Sequence, residues 1–327
     1  MMSKNCPFLY IFRPKMNSRA PLIKSMRQRL AQALLELATA DPNLYVVSVG
    51  LRPSVMLDRF STRFKTRFVE CGVAENNAAG ISAGLARSGK NVFLCTYSCF
   101  SPGINLATIK QSICLNGLSV KIIGYHAGLL TGELGASHQM LEDIALMRSL
   151  PKMEVFAPID ATEIYKMVKV LAKSSHPAYL RLVRPSTPVI YPGRLGFTIG
   201  KSQVLQSGKD ITILGYGPVL VQVFSITTKK SLEIINCSSL KPLDTATILK
   251  SVKKTGRLLV VEDHQQNGGL GEAVAAQILK ASLKCRFAHL AVNDSFGQSA
   301  RDPYDLYRLH GLSPVNILDT INKLCSR

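Results

Sequence analysis

Four short stretches of the 327-residue chain concentrate side chains that can bind ligands or move protons. In 68–86 two carboxylates, Glu70 and Glu75, lie where a β-branched run gives way to a helical pattern rich in Gly and Ala. Small residues let a helix pack closely, and a carboxylate in its first turn complements the helix dipole. Glu75 can be such a surface charge or a buried acid, and its position alone leaves both open. Next, Tyr97 and Phe100 in Thr96-Tyr97-Ser98-Cys99-Phe100 offer two aromatic faces at a strand end. Offset stacking on a flat ring contributes about 0.5–1.5 kcal/mol per pair beyond area burial, although such a pair taken alone is more often plain core. His126 and His138 bracket a Gly-rich loop between a strand and a helical pattern. Loops of that kind line the ligand crevice at the carboxyl end of a parallel sheet, and imidazole titrates near neutral pH. Finally Arg184, in Arg181-Leu182-Val183-Arg184-Pro185, presents a guanidinium suited to bidentate recognition of an oxyanion.

Hydrophobic periodicity supplies the frame for these residues. Helical spacing over 24–40, 77–88, 106–115, 139–148 and 161–172 alternates with apolar runs at 45–49, 91–95, 120–123, 154–157 and 178–182. Strands separated by helices predict a parallel sheet covered on both faces. The prolines of Arg184-Pro185-Ser186-Thr187-Pro188 and Tyr191-Pro192-Gly193 break the pattern, since each fixes φ and removes a donor. A second segment repeats the alternation with strands at 211–214, 232–236, 257–262 and 285–290. The expected fold class is therefore α/β with two domains, each a largely parallel sheet with helices on both faces. Their expected spans are 20–192 and 193–327, after an irregular extension over 1–19 in which Met16 offers a second start.

Composition narrows the partners. With 46% hydrophobic residues the chain can bury two ordinary cores, yet it contains no apolar run near the roughly 18 residues of a membrane span, so a soluble cytoplasmic protein is expected. The eight cysteines are scattered without a CxxC pair or a His partner at zinc-finger spacing, and read as reduced packing residues. The formal charge of +19 would suit a polyanion, and seven of the 40 basic residues fall in 1–30, where there is no acid. The rest are spread without a basic stripe or a nucleic-acid-binding signature, so attraction to phosphorylated metabolites is the preferred reading.

Together the four stretches resemble the transketolase family, over about residues 20–327 and in the order pyrimidine-binding domain, C-terminal domain. The resemblance implies thiamine diphosphate as cofactor. It gives Glu75 the hydrogen bond to N1′ of the aminopyrimidine that favours the tautomer able to deprotonate the thiazolium carbon. Glu70 would support the cofactor site or a subunit contact, and Tyr97 and Phe100 would stack on the ring. His126 and His138 would face the substrate and assist proton movement, and Arg184 would clamp a sugar phosphate. Val261-Glu262-Asp263-His264 and Val292-Asn293-Asp294-Ser295-Phe296-Gly297-Gln298-Ser299 resemble the C-terminal domain, to which no catalytic residue is assigned.

The family holds Mg2+ and the diphosphate with a Gly-Asp-Gly run in a separate domain, and this sequence has no such run. The expectation is a partner chain that carries the metal and diphosphate site, no metal ligands here, and an assembly of two large and two small subunits. Some positions depart from the family. Leu134 replaces an Asp that reads a donor hydroxyl, Ile104 and Ala107 replace an Arg and an Asp, and Gly50 replaces an Asp. Ketol transfer between a ketose phosphate and an aldose is thus the leading expectation. Decarboxylation and acyl transfer from a 2-oxo acid is the alternative. A non-catalytic pseudo-subunit is the third reading, against which the retention of Glu75, Tyr97, Phe100 and both histidines speaks.

Overall fold

The computed structural model describes residues 22–190 and 196–326. The extension over 1–19 and the expected boundary near 192 lie outside the described residues. The first half runs α1 (Met26–Ala40), β1 (Leu44–Ser48), β2 (Phe68–Glu70), α2 (Glu75–Arg87), β3 (Asn91–Tyr97), β4 (Val120–Tyr125), α3 (Asp143–Ser149), β5 (Glu154–Phe156), α4 (Ala161–Leu171) and β6 (Ala178–Arg181). The second half contributes β7 (Gln203–Gln206), β8 (Ile211–Gly215), β9 (Leu232–Asn236), β10 (Ser239–Lys241), α5 (Thr245–Thr255), β11 (Arg257–Gln265), α6 (Leu270–Lys280), β12 (Arg286–Val292) and α7 (Pro314–Cys325), with shorter turns between.

Among the described residues the larger sheet has the order β10-β5-β6-β4-β3-β1-β2 and the smaller β12-β11-β8-β9-β7. Every pairing in them is parallel except the edge pairs β10 with β5 and β7 with β9. Central parallel strands are covered on both faces: β4 is buried at every position, Lys121 included. The flanking helices follow the same logic. Ser25 caps α1 by accepting from the Gln28 N–H, and Met26, Leu30, Ala33, Leu34 and Ala38 form its buried face against α4. Each leucine fully withdrawn from water there contributes about 1.5–3 kcal/mol. Asp160 caps α4, accepting from Thr162 and Glu163 N–H.

The two-domain α/β architecture agrees with the sequence reading, and three local departures have physical causes. The helix expected over 139–148 starts only at Asp143, because the preceding residues are committed to a loop. The Met140 carbonyl accepts from Gly128 N–H, and the Gln139 amide donates to the Gly132 carbonyl. The helix expected over 106–115 changes to a π-helical turn at Ile109–Cys114. Strand β10, from the second half, extends the first half's sheet by pairing with β5.

The halves also meet along a polar seam. Arg181, at the end of β6 and 5% exposed, donates from Nε to the Asp143 carboxylate at 3.0 Å and from Nη2 to the Asp263 carbonyl at 2.7 Å. Tyr179 donates to Asp143 at 2.8 Å, and Tyr307 donates to the Asp263 carboxylate at 3.0 Å. Asn236 donates to Glu163, and Arg148 donates to the carbonyls of Gly268 and Gly269. A buried guanidinium stripped of its counter-ion is strongly unfavourable, so Asp143→Asn should lower stability by about 3–5 kcal/mol in urea titration. A loss below about 1 kcal/mol, typical of an exposed pair, would show that the seam does not depend on this ion pair.

Candidate active site

The candidate residues gather at the carboxyl ends of β2, β3, β4 and β6. Glu75 is the first residue of α2, and Ala74 before it provides no side-chain cap, so the helix start is electropositive and favours a carboxylate. The residue is 7% exposed. Its backbone is fixed, because the Asn105 amide donates to the Glu75 carbonyl at 3.0 Å. Glu70 has a different task. Its Oε1 accepts from Gly50 N–H at 2.6 Å and from Gly72 N–H at 3.1 Å, tying the loop after β1 to the turn before α2. Gly50 and Gly72 both have left-handed backbone, with φ of 79° and 68°, which suits glycine and accounts for Gly50 locally.

Four rings meet beside this corner. Tyr97 ends β3 and stacks with Phe100 at a centroid distance of 5.9 Å, while His126 lies 4.2 Å from Tyr97. His138 closes the group edge-on, 5.6 Å from Phe100 and 6.3 Å from Tyr97. The Tyr97 hydroxyl is anchored 2.5 Å from the Ser54 hydroxyl. In the same loop the Ser98 and Ser101 hydroxyls are buried and, among the described residues, unpartnered.

His126 follows β4 with φ of 56°, a strained value for a residue with a Cβ. Its carbonyl accepts from the Thr131 hydroxyl at 2.6 Å, which holds the turn. Both ring nitrogens are buried and, among the described residues, lack a partner, as suits a group that receives a ligand. Burial, reinforced by Arg27, Arg184 and His138, pushes its pKa down to about 3, so the ring is neutral and offers one donor and one acceptor. His138 is half-buried with Nδ1 3.0 Å from the Ser137 hydroxyl.

Arg184 forms an ion pair with Glu133 at 2.7 Å. Both line a cavity of about 250 Å3 with Arg27, Thr131 and Arg301. Arg27, in the first turn of α1, donates to the Ser54 carbonyl at 2.8 Å, so one residue, Ser54, links this cavity to Tyr97. Leu134 ends the turn Leu129–Leu134 and is half-buried. Sequence reasoning did not single out Arg27, Ser54 or Arg301. The one signal for Arg27 was a cation in the first turn of a helix with no acid there, which the dipole disfavours.

Among the described residues no cluster of three or more His, Cys, Asp or Glu is placed to hold a metal. The arrangement instead suits a flat, nitrogen-containing ring: an aromatic face, a carboxylate at a helix start and a neutral imidazole, beside a cationic cavity. The low His126 pKa has a defined sign. Between its ordinary value of 6.5 and about 3 the folded chain binds fewer protons than the unfolded chain, so stability falls as pH drops through that window. The stability of the wild type relative to His126→Asn, measured in urea, should therefore fall by about 2 kcal/mol between pH 7 and pH 5. An unchanged difference would mean that His126 is not held neutral.

Residues 24–189 match the transketolase pyrimidine-binding domain, and residues 200–317 match the transketolase C-terminal domain. The chain is 38% identical over 301 residues to one subunit of the apulose-4-phosphate transketolase of Phocaeicola vulgatus, covering 90% of this chain and 95% of that protein. It is 37% identical over 305 residues to a putative transketolase C-terminal section of Methanocaldococcus jannaschii, with 91% and 95% covered. A solved structure described as a split gene transketolase, inactive beta4 tetramer, superposes with a TM-score of 0.85 at 34% identity, covering 92% of this chain and 98% of that one. The chain therefore belongs to the transketolase family, as a subunit made of the pyrimidine-binding and C-terminal domains.

Proposed function

We propose that the chain is the pyrimidine-binding half of a two-chain, thiamine-diphosphate-dependent transketolase that moves a two-carbon ketol unit from a ketose phosphate to an aldose. The observation that carries this reading is Glu75, buried at the start of α2 and near enough to act electrostatically on Cys99, between Tyr97 and Phe100 of the ring cluster that His126 and His138 complete. When bound, thiamine diphosphate supplies a carbanion equivalent that adds to the donor carbonyl. Glu75 holds the proton shared with the aminopyrimidine, and Tyr97 and Phe100 orient its plane. Neutral His126 hydrogen-bonds donor oxygens, the more exposed His138 exchanges protons at the reacting carbonyl, and Arg184 binds the terminal phosphate.

The diphosphate and Mg2+ belong, in this reading, to a partner chain. Two observations support a partner. Val73 and Ile104, either side of the Glu75 corner, are 89% and 60% exposed, as apolar residues are where another surface covers them. The relatives named above include one subunit of a transketolase and a tetramer of beta chains described as inactive. A cytoplasmic complex of two large and two small subunits completes the proposal.

Leu134 favours a second reading, a related thiamine reaction on a less hydroxylated donor such as a 2-oxo acid. A half-buried isobutyl group at the substrate loop offers no acceptor for a sugar hydroxyl. Leu134→Asp in the reconstituted pair should raise kcat/KM for hydroxylated donors relative to 2-oxo acids. No shift in that ratio would remove Leu134 as the cause of altered specificity.

The main proposal is tested by Glu75→Gln, which keeps the shape but cannot exchange a proton. Turnover of the pair with thiamine diphosphate and Mg2+ should fall by about 10^2- to 10^4-fold while circular dichroism stays native. Unchanged turnover would overturn the catalytic assignment.

A further inference from the structure

The cavity beside the ring cluster is built from both domains. Arg27 comes from α1, Thr131 and Glu133 from the glycine loop, Arg184 from the segment after β6, and Arg301 from the C-terminal domain. Arg301 does not sit there by accident of a mobile surface. Its segment is clamped onto the glycine loop, because Ala300 N–H donates to the Gly132 carbonyl and the Gln139 amide donates to the Gln298 carbonyl at 2.8 Å. The packing is close: a Cβ on Gly132 would meet Pro303 Cβ at 3.1 Å, and one on Gly135 would meet Ser299 Oγ at 2.5 Å.

The charges of this cavity do not balance internally. Three guanidiniums face one carboxylate, an excess of two positive charges. The carboxylate is already engaged, with Glu133 Oε1 2.7 Å from Arg184 Nη2. Arg27 Nε is buried and has no partner among the described residues, a donor awaiting an acceptor. Neighbouring cations also help keep His126 uncharged, so the cavity's positive field reaches the ring cluster.

We infer that Arg301 and Glu133 form a selectivity device for a terminal phosphomonoester dianion. Arg301 is the third arm of the clamp, and Glu133 is an intramolecular stand-in that occupies Arg184 until the dianion displaces it. The inference deepens the proposed function and rests on it for the identity of the reaction, but not for the binding of the anion. Displacing a tethered carboxylate from an exposed guanidinium costs little, because such a pair is worth about 1 kcal/mol or less. A dianion then gains charge-assisted bonds from three arginines that a neutral hydroxyl end cannot match. The device therefore discriminates against unphosphorylated sugars rather than merely attracting anions.

The test has two arms on the full-length protein. In calorimetric titration with inorganic phosphate at fixed ionic strength, Arg301→Gln should weaken binding on the order of tenfold, and Glu133→Gln should tighten it by about two- to fivefold. Lys280→Gln, at the far end of α6, controls for the loss of a charge and should leave the titration as in the wild type. Phosphate binding by Arg301→Gln that equals that of the Lys280 control, or no gain in Glu133→Gln, overturns the inference. In the pair reconstituted with its partner, Arg301→Gln should narrow the preference for phosphorylated over unphosphorylated donors on the order of tenfold, through KM. Ketol transfer with that preference intact sinks the inference and leaves the proposed function standing. Arg301-dependent phosphate binding in a pair that transfers no ketol unit does the reverse.

Discussion

The Arg181 guanidinium is buried where the two domains meet, and the geometry of the site is referred to it. A cation in that position is unfavourable unless it is paired and hydrogen-bonded. Here the partners come from both halves: Asp143 and the Met140 carbonyl on one side, and the Asp263 carbonyl on the other. Asp263 in turn commits its side chain to the Leu129 N–H at 2.9 Å and to the Tyr307 hydroxyl. Leu129 opens the turn between His126 and Leu134, so the position of the glycine loop is set from the C-terminal domain. That domain, assigned no chemistry from sequence, is thus a positioning element for the histidines.

In the proposed reading the site must keep a proton-sharing carboxyl apart from an anionic substrate. The structure does so by layering. Glu75 lies at the start of α2, the ring cluster comes next, and Arg27, Arg184 and Arg301 lie beyond it. His126 stands at the boundary, and its low pKa follows from burial first and from Arg27 and Arg184 second. The neutral ring can accept a hydrogen bond as well as donate one, which an imidazolium cannot. The large net charge of the chain thus acquires a local meaning beside the site, where three arginines line a cavity of about 250 Å3.

What the sequence made legible was whatever is periodic or contiguous. The alternation of helix and strand, the start of α2 at Glu75, the aromatic end of β3 and the two-histidine loop are all read within windows of some 20 residues or fewer. The illegible parts are pairings across the chain. Arg181 finds Asp263 across 82 residues, and Gln139 finds the Gln298 carbonyl across 159. No periodicity encodes such contacts. Strand β10 was missed for a related reason: three residues, Ser239 to Lys241, are too short to carry a pattern, and they become a strand only because β5 presents a free edge.

The glycine loop shows why local and global requirements cannot be separated here. Gly128, Gly132 and Gly135 all take positive φ, and Cβ atoms at the last two would press on Pro303 and Ser299, in the segment that carries Arg301. Loop conformation, docking of the C-terminal domain and assembly of the anion cavity are therefore one constraint met by the same few residues. A substitution that relaxes the loop would displace His138 from the rings and Arg301 from the cavity together. In the proposed reading, chemistry at the carbonyl and recognition of the distant charged end of the substrate are thus coupled through packing.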